Sequence, residues 1–164
     1  MDKEIIIAIA LGIGLSASAG FRVFLPLLVA GLAARFGFLP LNENFFWLAS
    51  TPTLAALSAA TIIEIIAYYV PFVDNLLDSI AMPLAIGAGT LLAASVLPVD
   101  NGFLKWLMAI VLGGGASATV QGATTALRLT SSGTTGGLGN PVISTGENAA
   151  AAGISILAIA LPIL

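Results

Sequence analysis

Residues Ile5 to Phe36 form an almost uninterrupted apolar run of 32 residues, too long for one straight membrane-spanning helix. At 1.5 Å per residue it would reach about 48 Å, against a hydrocarbon core of about 30 Å. Gly12, Gly14, Ser16, Ser18 and Gly20 cluster near its middle, and Arg22 follows at once. Small and hydroxylated residues weaken a helix, and a charge at that depth is costly. The run therefore reads as a helix interrupted inside a bilayer.

Composition agrees with a membrane setting. Hydrophobic residues make up 59% of the 164, charged ones only 8%, and the mean hydropathy is +1.09. Soluble domains carry about 25% charged residues. The expectation is a multi-pass membrane protein of the bacterial inner-membrane kind, with residues 1–164 as a single domain. Cys and His are both absent, which excludes thiol chemistry, imidazole bases and the usual zinc or haem ligands, so neither cofactor nor metal is expected. A net charge of −3 with five scattered basic residues argues against nucleic acid. The partners expected are the lipid bilayer and a small solute or ion, with self-association left open. Ala17-Ser18-Ala19 resembles a signal-peptide cleavage site, but Asp2-Lys3-Glu4 is not the basic cluster such a peptide needs, and retention is expected.

Beyond Phe36 the spans follow from capping and length. Ser50 or Thr51 can cap a helix from Thr51 to Val70, with Pro52 in its first turn, Glu64 inside the apolar slab and Tyr68-Tyr69 at the interface. Another span covers about Leu76 to Leu97. A fourth helix begins near Phe103 and meets Gly113-Gly114-Gly115, a poor helix sequence. The polar stretch Ser117 to Thr135 and a Gly/Thr-rich loop, Ser131 to Asn140, lead to a last span from about Ser144 to Leu164.

Leu11 to Ser18 (LGIGLSAS) and Leu112 to Thr119 (LGGGASAT) echo each other, and Ser50-Thr51 parallels Ser144-Thr145 as a helix start. The predicted fold is all-α, with about five spans. Two repeats with interrupted helices, about residues 5–72 and 103–164, flank a central span at about 76–98. If each interrupted helix crosses once, the repeats are inverted, as in many secondary transporters. If each turns back as a hairpin, they are parallel, and chance similarity among small residues is the bland alternative. Loop charges place Lys3 on one side and Arg35 and Lys105 on the other, a slight lean toward an outside N-terminus.

The run Glu64 to Asp78 (EIIAYYVPFVDNLLD), with Gly20-Phe21-Arg22, Leu25-Pro26-Leu27, Arg128, Gly139-Asn140-Pro141 and Glu147, resembles domain of unknown function family 4126. The resemblance covers nearly the whole chain and implies a small bacterial integral membrane protein without an assigned activity. That family commonly carries an acidic residue where Tyr68 stands, which weakens any mechanism requiring a second carboxylate in that helix.

Arg22 and Glu64 are the sharpest candidates, because ionisable groups inside a membrane mark solute or ion paths by default. Their bland reading is a pair that only locks the bundle. Arg128 with Glu147 is the corresponding pair in the second half. Asp74, Asn75 and Asp78 read as a solvated turn and cap rather than a cation site. Ser16, Ser18, Ser117, Thr119, Gln121 and Asn140 complete a proposed path, although small-residue packing explains several of them equally well. No nucleophile–base pair or phosphate-cradling motif is visible, so no enzyme activity is expected. The expected function is a transporter or channel, with an anion slightly favoured because Arg22 and a helix start coincide. The alternative is a structural membrane protein whose buried charges only fix its fold. Arg22 is expected to pair with Glu64.

Overall fold

The computed structural model describes residues 3–70 and 73–162, and among these every regular element is a helix. Helix α1 runs Lys3–Ala19 and α2 runs Phe24–Arg35, so the long apolar run does break, at residues 20–23. A 3-10 segment, Glu43–Ala49, meets α3, Thr51–Ala67, at 59°. The start of α3 is capped as expected: Ser50 accepts from the Thr53 N–H, and Pro52 sits where its missing donor does no harm. Helix α4 spans Val73–Val96. Helix α5, Gly102–Met108, is capped by Asn101, whose Oδ1 accepts from the Leu104 N–H at 3.0 Å. It continues through a π-helical stretch, Ala109–Gly114, into α6, Gly115–Thr135. Gly136 and Gly137 turn the chain at φ 63° and 87°, a region open to glycine, and α7 covers Asn140–Ala160. Three helices, α4, the continuous α5–α6 and α7, are long and apolar enough to cross a membrane, and a fourth is counted if the 3-10 segment and α3 form one bent span.

The break in the first apolar run is a reversal. Gly14 lies against Ala158, Ser18 bonds Ser155, and Arg22 bonds Asn148, so α1 runs antiparallel to α7. Past the break, Val23 and Phe24 lie by Glu64, while Phe36 and Phe38 share a pocket with Ile159 and Ala160 at the far end of α7. Helix α2 therefore runs back beside α1, and the two make a helical hairpin with residues 20–23 at its tip.

The second interruption expected at Gly113–Gly115 does not occur, because the chain stays helical from Gly102 to Thr135. Gly113 serves close packing: a Cβ there would lie 2.6 Å from Ala93 Cβ and closer still to Gly89 O. The echo between LGIGLSAS and LGGGASAT is resolved by the same contacts. Gly12 and Ser16 of α1 meet Ala93 and Gly89, and Gly113 and Gly114 meet Ala93 and Thr90. Both segments thus run antiparallel to α4 and parallel to each other, one broken and one not, rather than as an inverted pair. The echo is a small-residue surface used twice, on two sides of the central α4.

The hairpin also changes which charges share an end. Glu4 lies beside Pro40 and Pro98, Arg35 donates to Ala49 O and Thr51 Oγ1, and Trp106 packs its ring on Phe45 at 6.2 Å. Lys3, Arg35 and Lys105 therefore lie at one end of the bundle, not on opposite sides as the loop count suggests. The hairpin tip points toward the other end, where α3 finishes and α4 and α7 begin. Leu11, Leu15, Leu27, Leu48, Leu92 and Leu97 knit α1, α2, the 3-10 segment and α4 into the apolar core.

Candidate functional site

Two helices turn polar stripes inward. On α6 the buried residues are Ser117, Gln121, Thr124 and Arg128, and on α7 they include Asn140, Ser144, Glu147, Ala151 and Ser155. Spacings of three and four place each set on one helical face. In an apolar solvent that face is the one a helix hides. Arg22 at the hairpin tip, 1% exposed, meets the α7 stripe at Ser144 and Glu147.

Glu147 is the hub. Its Oε2 accepts from Arg22 Nη1 at 2.7 Å and from Arg128 Nη2, and its Oε1 accepts from Arg128 Nε at 3.1 Å. Arg22 is completed by Phe21 O at 2.8 Å, Ser144 O at 3.2 Å and Asn148 Oδ1 at 2.6 Å. Arg128 also donates to Asp78 Oδ1 at 3.0 Å. The Tyr68 ring lies beside both guanidiniums, its centroid 4.1 Å from Arg22 Cζ and 4.0 Å from Arg128 Cζ, so both cations contact its π system.

Glu64 does not pair with Arg22. Its carboxylate accepts the N–H groups of Val23 at 2.7 Å and Phe24 at 3.0 Å, the first free donors of α2. The helix start expected to hold an anion thus holds a carboxylate of the protein itself, and Arg22 is taken by Glu147. Asp74 and Asp78, one turn apart on α4, are not a solvated turn. Asp74 is 3% exposed and accepts from Asn140 Nδ2 at 2.7 Å, while Asn140 Oδ1 has no partner among the described residues. The ion pairs among the described residues are Arg22–Glu147, Arg128–Glu147 and Arg128–Asp78. Glu64 and Asp74 enter none of them. Two guanidiniums therefore face four carboxylates in a largely buried cluster.

Of the residues expected to form a path, Arg22, Glu64, Arg128, Asn140 and Glu147 come together at the hairpin tip, and Gln121 lies on the same face of α6 one turn from Arg128's neighbour Thr124. Ser16, Ser18 and Ser117 lie apart, in the small-residue seam, donating to Gly89 O, Leu15 O and Gly113 O. Thr119 is exposed and donates to Gly115 O, on the outer face of α6. Sequence reading missed Tyr68, Asp74, Asp78, Ser144 and Asn148 as members of the cluster. The four-residue spacing of Asp74 and Asp78, on a helix otherwise apolar, was the available signal. Glu147 was expected in the first turn of the last span; because α7 begins at Asn140, it lies in the second turn, deep enough to meet Arg22.

The family described as Domain of unknown function (DUF4126) matches residues 9–164. The chain belongs to that family. No curated protein and no solved structure matches it. The DUF4126 match spans the hairpin, α4 and both polar stripes, so every residue of the cluster lies within it.

Proposed function

We propose that the chain is a membrane carrier that moves a small solute or ion, with proton or cation uptake at the charge cluster. The supporting observation is the imbalance of two guanidiniums against Glu64, Asp74, Asp78 and Glu147. Buried charges without partners are expensive, and an excess of two carboxylates in an apolar bundle calls for protons or a bound cation. A cluster that merely locked helices together would be stable when balanced. The hairpin tip adds to this reading, since broken helices meeting buried charges are a recurring substrate-site plan in transporters. In this reading α3, α4, α5–α6 and α7 cross the bilayer and the α1–α2 hairpin enters and leaves from one side. The earlier lean toward an anion gives way to a cation or proton, because the protein's own carboxylates occupy the donors an anion would use.

The test is reconstitution in liposomes with an internal pH dye, under imposed sodium, potassium and chloride gradients. Cation-linked proton movement, reduced at least ten-fold by Asp74→Asn, supports the carrier. Chloride flux alone, or no flux with a folded protein, overturns it. A structural role is the second reading, favoured by the complete pairing of both guanidiniums. It expects no flux and a large loss of stability when Glu147 is neutralised.

A further inference from the structure

Consecutive helices α3 and α4 scarcely touch: α3 packs on α2 and the 3-10 segment instead. Between them lies a cleft of about 250 Å³ with a single acidic group among the described residues, Glu64, on its wall. Ala60, Ile63 and Ala67 of α3 form one wall, Ile80 and Leu84 of α4 the other, and Phe24 at the hairpin tip the floor. Ile63, Ile80 and Leu84 are 67%, 50% and 44% exposed, so the mouth faces sideways, toward what would be lipid. An opening of this kind admits molecules that partition into the bilayer, and its apolar walls suit rings or chains rather than hydrated ions.

We propose that this cleft is a lateral binding site for a lipophilic cation, with the Glu64 carboxylate as counter-charge. The proposal rests on the carrier reading and names its substrate class. Charge complementarity selects the occupant. Among the described residues, Glu64 is the only ionisable group lining the cleft besides the Tyr68 phenol. Its two bonds to the Val23 and Phe24 N–H groups leave further lone pairs on its oxygens. The cations acting on it, Arg22 and Arg128, are already committed to Glu147 and Asp78. A neutral lipid chain would fit the walls but bring the carboxylate no counter-charge. A lipophilic anion would be repelled by it.

The experiment compares two probes of like shape and opposite charge, tetraphenylphosphonium and tetraphenylborate, binding to the full chain in nanodiscs. Saturable phosphonium binding, weakened at least ten-fold by Glu64→Gln and by Ala60→Trp, is the expected result. Ala60 lies one turn before Glu64 on the cleft wall, outside the charge cluster, so this variant fills the cleft and leaves the ion pairs intact. Borate bound as tightly as phosphonium, or phosphonium binding unchanged in Ala60→Trp, overturns the assignment. Proton movement in liposomes that persists in Ala60→Trp, with no phosphonium bound by the parent, overturns this site while leaving the carrier reading intact. Phosphonium bound at Glu64 by a protein that moves no protons upholds the site and overturns the carrier reading.

Discussion

Glu147 and Glu64 are both buried acids, yet their surroundings assign them different work. Glu147 accepts from two guanidiniums, so neutralising it takes from Arg22 its carboxylate partner and leaves Arg128 with Asp78 alone. Losing one partner of a buried pair costs about 3–5 kcal/mol. Glu147→Gln is therefore expected to lower the thermal midpoint in detergent sharply, with a loss of that size. Glu64→Gln keeps an amide oxygen to accept from Val23 or Phe24 and should cost about 1–2 kcal/mol, as for a weakened helix cap. Thermal unfolding followed by intrinsic tryptophan fluorescence separates the two. If Glu64→Gln proves the more damaging, the assignment of Glu147 as the hub is wrong.

Among the elements, the Gly113–Gly115 run is where sequence and structure pull in different directions. Three glycines weaken a helix, yet α5 and α6 remain joined through a π turn because tertiary packing holds them against α4. The glycines are not equivalent. A methyl group at Gly113 would collide with Ala93 Cβ at 2.6 Å, whereas nothing lies within 4 Å of one at Gly115. Gly113→Ala should destabilise by about 1–3 kcal/mol through overpacking. Gly115→Ala should be neutral or stabilise by up to about 1 kcal/mol through helix propensity. Equal thermal shifts for the two variants would contradict the close approach of α4 to the π-helical stretch. Legibility at this scale followed locality. The cap at Ser50 was readable because it involves a neighbour three residues away. The reversal at residues 20–23 was left open because a weak helix sequence does not say whether the chain continues or turns back.

For the whole molecule, the hairpin reassigns orientation. Lys3, Arg35 and Lys105 share one end, and the other two basic residues, Arg22 and Arg128, are buried in ion pairs. Basic residues near span ends are retained on the cytoplasmic side. The expected topology therefore puts the open end of the hairpin in the cytoplasm and the Gly136–Gly137 turn outside, the reverse of the lean drawn from loop charges alone. The chain has no native cysteine, so single cysteines report cleanly. With a membrane-impermeant maleimide on intact cells, Leu138→Cys, at a position 83% exposed, should label at once. Phe38→Cys, at a position 74% exposed, should label only after permeabilisation. The opposite pattern, or equal labelling of both, would refute the single orientation.

The amino-acid sequence by itself determined the apolar character, the helical class, the capped start of α3 and the break near Arg22. Each of these depends on composition, chain length against bilayer thickness, or capping between near neighbours. The same holds for choosing Arg22, Glu64, Arg128 and Glu147, since an ionisable residue in an apolar run is conspicuous without any partner in view. The partners themselves were decided only by tertiary structure. Arg22 and Glu147 are 125 residues apart, and their contact exists because the hairpin reverses α1 beside α7. That same reversal brings the first free N–H groups of α2 to Glu64, and it makes the repeated small-residue motif a pair of parallel packing surfaces. Pairing across such distances is set by which helix faces bury against each other, and helix-face periodicity in one segment carries no information about its distant neighbour.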